Sequence, residues 1–512
     1  MTWILAVLLA LPAAAVPRTA ERPSVKLIAY DPSGKLLGLS ELLAFIGRAD
    51  RDVRRSGLMA TAPDEMSWAR CVLSEKDHVP TLSWERFDRI HITLPWPVRD
   101  DGFSTVWLDK EGAGFGNGDE VRLNEEIAVT QYRRFKESRE RRMNEGTPIY
   151  KPGVKAREAA QRAQALMAQA YKENSPVPRA RAFDAALQAV SLAWQHLLTE
   201  HGRQIALAEK DKSALRFGLT IDEAIFQRLN RYERLIAAIR RSRADSVRLV
   251  FRSNPDDFTY AHLSSFNEYD SIVQALEEKN LRVLGVVLET GAWPRTLTPA
   301  VYAERVKNLA LHYKGRLHSW EVGSELNGDW LGGAKNPLTP EKVFAIYCAG
   351  AAKAKAIDPS LETVASLYWW SATAPDEEHA LSGWLKRYVP QGFGKDLDVV
   401  AVSLQPDEAP VGMAFEGLFD LLRRQLPSQR LMLGNLGYAE EDKVAGYWWF
   451  KTDDIPAARQ DLLAFSLAAT CAMPKSLGGG YWWQSLEQLL PGQGSSPELY
   501  GVYAKTLRRL GR

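Results

Sequence analysis

From about Ala214 to the C-terminus, short apolar runs alternate with amphipathic helical stretches. The runs that qualify as strands are Leu215–Thr220, Ser246–Phe251, Leu281–Leu288, Leu317–Val322, Leu361–Leu367, Leu397–Leu404, Arg430–Asn435 and Gly479–Gln484. Eight strand–helix units in roughly 300 residues are what a closed (β/α)8 TIM barrel requires, so the expected class is α/β. The runs are apolar throughout, as parallel strands covered on both faces are. An open doubly wound sheet is the structural alternative. No Gly-rich dinucleotide-binding turn follows the first strand, and this argues against it.

A barrel occupies little more than half of the 512 residues, and a chain this long divides into two or three units. Residues 24–150 read as a strand-rich, β-sandwich-like accessory domain. Ser24–Asp31, Asp88–Leu94 and Phe103–Asp109 alternate, and turn signals separate them. The Gly-rich stretch after Asp109 lacks strand-to-helix context and a Lys-Ser/Thr pair, so it is expected to be an edge loop and not a phosphate cradle. Residues 154–212 read as a helical linker broken at Asn174–Pro178, and 214–512 as the barrel. Residues 1–20 begin with an apolar run ending in an Ala-x-Ala pattern at Ala13 and Ala15, which resembles a signal peptide and implies a secreted or periplasmic protein. The run is too short to span a bilayer comfortably.

With 65 basic and 63 acidic residues, the charge balance offers no case for a nucleic-acid partner. Three cysteines, Cys71, Cys348 and Cys471, leave at least one unpaired and form no metal or redox motif, so they are expected to be small buried hydrophobes. No metal or organic cofactor site is visible. The 16 tryptophans are a high count. Flat indole faces stack on sugar rings, although any single Trp more often fills core.

Active sites of such barrels lie at the C-terminal strand ends. The fourth strand ends His318–Trp330, HSWEVGSELNGDW. This resembles the Trp-Glu-Val-Trp-Asn-Glu-Pro-Asn signature of the large clan of retaining (β/α)8 glycoside hydrolases, the cellulase, xylanase and xylosidase type. Trp320, Glu321, Val322, Glu325 and Asn327 match. The resemblance puts Glu325 on the catalytic acid, and Ser324 where the clan has the Asn that binds a sugar hydroxyl. The seventh strand resembles the clan's Ile-Thr-Glu-Phe-Gly-Tyr in Gly437 and Tyr438, but Asn435 occupies the nucleophile position. An amide cannot form a glycosyl ester or carry the negative charge that steadies an oxocarbenium-like transition state.

Two carboxylates are candidates to replace that nucleophile. Asp407 follows the sixth strand beside Gln405, where the clan has His-x-Tyr, and is either a base for water or an ordinary turn residue after Pro406. Glu289 ends the third strand. The resemblance also implies sugar contacts for Arg248 on the second strand, Trp293 after the third, Trp369 after the fifth, and Trp483 with Gln484 at the eighth. Arg248 could equally pair with a buried structural carboxylate. The expected function is a glycoside hydrolase-like protein acting on or binding a poly- or oligosaccharide, with Glu325 as general acid. The alternatives are a catalytically inactive carbohydrate-binding barrel and a structural or partner-binding envelope protein. Fold alone does not choose among them.

Overall fold

The computed structural model describes residues 22–47, 58–98, 102–222, 232–251, 267–333, 337–406, 409–437, 455–482 and 497–512. The signal-peptide-like segment lies outside them. Among the described residues no helix is long and apolar enough to cross a membrane.

Eight parallel strands close into a barrel in chain order: Gly218–Ile221, Ser246–Val250, Arg282–Val286, Ser319–Gly323, Glu362–Tyr368, Val399–Leu404, Arg430–Leu436 and Ser476–Trp482. The first strand pairs with the last through Leu219 and Trp482, which completes the ring. Each expected strand is present. Alternate side chains point inward, and Leu284, Val364, Val399, Ala401, Met432, Leu477 and Tyr481 form an apolar plug inside the barrel. The other face of each strand joins one continuous core with the surrounding helices, as Val247, Trp320, Val322, Val400 and Leu433 do. Barrel interiors are filled by such layers, so polar side chains one layer above the plug open toward the C-terminal mouth.

Two sheets precede the barrel. One holds Cys71–Lys76, Val79–Trp84, Ser24–Ile28 and Glu120–Arg122; the other is built on Trp68–Ala69, Met59–Thr61, Arg89–Val98 and Gly102–Leu108, with Phe115–Gly116 against its long strand. The strand-rich part ends at Arg122. A 22-residue helix, Leu123–Asn144, occupies ground that the sequence pattern left to strands and loops. Its inward face mixes Leu123, Ile127 and Phe135 with buried Asn124, Thr130, Gln131, Ser138 and Arg142, so a hydrophobic period is hard to see. The helices Val154–Ala170 and Pro176–Ala208 match the expected helical segment and its break.

The helical segment is tied to the barrel by a buried charge. Glu416, on the barrel helix Phe415–Gln425, accepts hydrogen bonds from Ser138 Oγ (2.6 Å), Arg141 Nη2 (2.8 Å), Arg142 Nη2 (2.8 Å) and Trp194 Nε1 (2.9 Å). Arg142 also donates to the Ala472 carbonyl at 2.8 Å. All three cysteines are free; Cys471 is buried as expected, whereas Cys71 and Cys348 are only half-buried.

Candidate active site

A polar layer sits above the apolar plug at the barrel mouth. Arg248, on the second strand, is fully buried and grips Glu321 of the fourth strand through Nε (2.7 Å) and Nη2 (3.2 Å). Both registers point inward: Arg248 lies one inward position above Ser246, whose hydroxyl meets Tyr481 inside the barrel at 2.7 Å. The paired geometry matches the flat guanidinium fork, and burial strengthens the attraction. Arg248 Nη2 also donates to Ser324 Oγ at 3.2 Å, and Nη1 lies 3.7 Å from Glu289 Oε1.

Glu325 hangs from this frame. The fourth strand shifts register between Glu321 and Gly323, and Glu325 takes φ +47°, in the left-handed region that non-glycine residues enter at a cost of roughly 1–3 kcal/mol. Ser366 of the fifth strand holds that conformation. Its hydroxyl accepts from the Glu325 amide at 2.8 Å and donates to Glu321 Oε1 at 2.9 Å. The Leu326 amide adds a bond to the Ser366 carbonyl at 3.1 Å. A chain of contacts therefore runs from Arg248 through Glu321 and Ser366 to the backbone of Glu325.

Glu325 is buried, with 7 % of the residue exposed. Burial is the main cause that raises its pKa to about 7, and the negative charge of Glu289 adds to it, while Arg248, the Ser403 hydroxyl and the Asn435 amide oppose it. Asn435, on the seventh strand, brings Nδ2 to 3.5 Å from Glu325 Oε1, the outer limit of a hydrogen bond, and its own Oδ1 is buried with no hydrogen-bond partner among the described residues. Arg248, beside Glu321, is held above the ordinary arginine range: its burial acts the other way, but Glu321 outweighs it.

The remaining expected residues divide. Arg248, Glu289, Ser324, Glu325 and Asn435 come together. Asn327 is enclosed and fully engaged: Nδ2 donates to the Tyr368 and His379 carbonyls (2.9 and 2.8 Å), and Oδ1 accepts from the Tyr368 amide at 2.7 Å. It locks the loop after the fourth strand to the fifth and has no free group for a ligand. Trp293 is buried, donates to the Leu288 carbonyl at 3.1 Å and packs on Tyr302, so it supports the third-strand loop from behind and leaves no exposed stacking face. Trp369 lines a cavity shared with the N-terminal sheet, whose walls do not include Glu325. Gln405 is half-buried beside Gly437. Asp407, Tyr438, Trp483 and Gln484 lie outside the described residues. Among the described residues, no group of three or more His, Cys, Asp or Glu is arranged to hold a metal ion.

Sequence reasoning missed the roles of Glu321 and Ser366. Glu321 carried a signal, because a carboxylate inside an apolar parallel strand needs a buried partner. Ser366 carried none, since a serine in a strand is ordinary.

No protein-family model matches the chain, and no curated protein matches it. Solved structures do. Xylanase 10B from Thermotoga petrophila, solved with xylobiose, is 15% identical over 56% of this chain and 84% of its own, with a TM-score of 0.37. A thermostable mutant of a xylanase from Cellvibrio japonicus is 15% identical over 58% of this chain and 98% of its own, with a TM-score of 0.40. A β-glucuronidase from Bacteroides uniformis is 13% identical over 50% of this chain and 28% of its own, with a TM-score of 0.35. Similarity at this level carries no inference about activity.

Proposed function

We propose that this protein acts on a poly- or oligosaccharide as a glycoside hydrolase, with Glu325 as general acid. One observation carries the reading: an enclosed carboxyl at the end of the fourth barrel strand, with a pKa of about 7 and a second carboxylate, Glu289, close enough to raise it. A glycosidic oxygen is a poor leaving group until protonated, and an acid still protonated near neutral pH can supply that proton.

Glu289 is the partner we favour, because Arg248 fixes it at the same mouth. In that role it takes a proton from water as the hydroxyl bonds to the anomeric carbon. The glycosidic bond breaks, and the leaving oxygen takes its proton from Glu325. The anomeric configuration inverts, and no covalent intermediate is required of Asn435. Asp407 is the other candidate for that base. The resemblance of the leader to a signal peptide supports a secreted or periplasmic setting, and the even charge balance supports a carbohydrate over a nucleic-acid partner.

The second reading is a binding barrel without turnover. It is favoured by Asn435, a neutral amide beside Glu325 where the resembled clan has its nucleophile. Hydrolysis by the purified protein across a broad panel of polysaccharides and oligosaccharides, beside a Glu325→Gln control, separates the two. Turnover that disappears in the control is expected, with inverted product. Saturable sugar binding by both proteins without turnover overturns the hydrolase reading and leaves the binding barrel.

A further inference from the structure

The N-terminal module reaches the barrel mouth through one strand. Gly102–Leu108 lies at the edge of its sheet, and an edge strand turns a row of backbone donors and acceptors outward. Thr105 stands opposite Pro95, which has no N–H to exchange with it, and the Thr105 amide points to the outer edge. The segment that meets it there belongs to the barrel: it is the loop that follows the sixth strand, Val399–Leu404.

Directional bonds join the two. The Thr105 amide donates to the Val411 carbonyl at 3.3 Å, and the Thr105 hydroxyl donates to the Pro410 carbonyl. The Met413 amide donates to Ser104 Oγ at 2.7 Å. Between these points Gly412 takes φ +53°, and a Cβ on it would lie 2.0 Å from Ser104 Oγ, so only glycine allows the approach. Ser104, Thr105, Val411 and Met413 are all buried. A seam held by apolar packing alone tolerates sliding, whereas buried amides and carbonyls that need their partners fix one register.

The same loop is tied at its other end to the wall of the candidate active site. The Gly437 amide donates to the Leu404 carbonyl at 3.1 Å, and the Ala409 amide donates to the Gln405 carbonyl at 3.1 Å. Gln405 is thus held between two fixed elements. One is the seventh strand, which brings Asn435 to Glu325; the other is the N-terminal sheet.

We propose that Ser104 and Thr105 are positioning residues of the barrel mouth. Through the loop after the sixth strand they hold Gln405 where a bound sugar meets it. The N-terminal module is then a working part of the carbohydrate site and not a separate accessory domain, a role that rests on the carbohydrate reading of the mouth given above.

The test is hydrogen exchange read by mass spectrometry on the full chain, unsubstituted and carrying Thr105→Val, Ser104→Ala or Thr105→Ser, with thermal unfolding to confirm that each folds. Thr105→Val keeps the shape and removes the donor, and Thr105→Ser keeps the donor. Exchange under native conditions reports local opening. Peptides covering 403–414 should exchange ~10-fold or more faster with Thr105→Val and with Ser104→Ala, while Thr105→Ser stays close to the unsubstituted rate and the strand Glu362–Tyr368 keeps its rate in every variant. The KM for a glycan that the protein hydrolyses, or the Kd for one that it only binds, should rise ~3-fold or more with Thr105→Val, with kcat changing less than KM, and return with Thr105→Ser. Exchange unchanged by Thr105→Val and Ser104→Ala, faster exchange spread evenly over the barrel, or faster exchange with unaltered KM or Kd overturns the proposal. An unsubstituted protein that neither hydrolyses nor binds any glycan overturns the carbohydrate reading, and this role with it, before any substitution is made, so the two failures are distinguishable.

Discussion

The carboxamide nitrogen of Asn435 stands 3.5 Å from Oε1 of Glu325, bringing a neutral donor from the seventh strand to the carboxyl. A donor there favours the ionised acid slightly, whereas a carboxylate would strongly disfavour it, because two negative charges at that separation resist ionising together. Asn435→Asp is therefore expected to lift the Glu325 pKa above about 7. The alkaline limb of a pH–activity profile, or carboxyl titration followed by infrared difference spectroscopy, should move to higher pH. An unchanged limb would mean that Asn435 does not face the Glu325 carboxyl.

The Glu325 shift also has a consequence for stability. Its pKa is about 7 in the fold against 4.5 ordinarily, so the folded state favours the protonated form. The residue costs nothing below pH 4.5. Its penalty grows as pH rises toward about 7 and is constant above that, at about 3 kcal/mol. Glu325→Gln removes this titration. The stability of the variant relative to the unsubstituted protein, measured by urea unfolding, should thus rise between pH 4 and pH 8 and then level off. A flat difference would show that the carboxyl is not desolvated.

Arg248 and Glu321 form a buried pair in which each residue needs the other. Arg248→Met strands a carboxylate in the barrel interior at a cost of ~3–5 kcal/mol. It also withdraws the positive charge that restrains the Glu325 pKa, so the remaining folded protein should show its alkaline limb at higher pH. Chemical denaturation and a pH profile read the two effects separately. A substitution costing under about 1 kcal/mol would place the pair in solvent.

The barrel was legible in the sequence because its strands are apolar runs that recur after helical stretches, and the Glu325 position was legible because Trp320–Val322 lead to it in one strand. The start of the eighth strand was not. It begins at Ser476, before the expected Gly479, since Gly478, Gly479 and Gly480 all take positive φ and break the apolar pattern. Gly479 has a physical need for this, because a Cβ there would lie 2.0 Å from the Leu433 carbonyl. Trp293 and Trp369 show a different limit. Position after a strand fixes the end of the barrel on which a residue sits, but not the side to which its ring turns, and that depends on packing against Tyr302 in one case and against the N-terminal sheet region in the other.

Glu416 joins the two halves of the chain. Burial alone would raise its pKa, but Arg142 and Arg141, with Ser138 and Trp194, outweigh it and hold the carboxyl well below the ordinary range. All four donors come from the helices Leu123–Asn144 and Pro176–Ala208, and the acceptor comes from the barrel. Glu416→Met leaves the buried Arg142 guanidinium with the Ala472 carbonyl and His201 as its remaining partners outside its own helix, and is expected to cost ~3–5 kcal/mol. Arg142→Met is expected to cost less, because Arg141, Ser138 and Trp194 still donate to the carboxylate, and the double substitution should cost less than the two added together, because the guanidinium that Glu416→Met leaves buried is then removed as well. A double-mutant cycle on urea unfolding measures this. Strict additivity would mean that the seam is held by its apolar contacts, and that Glu416 and Arg142 do not act as a pair.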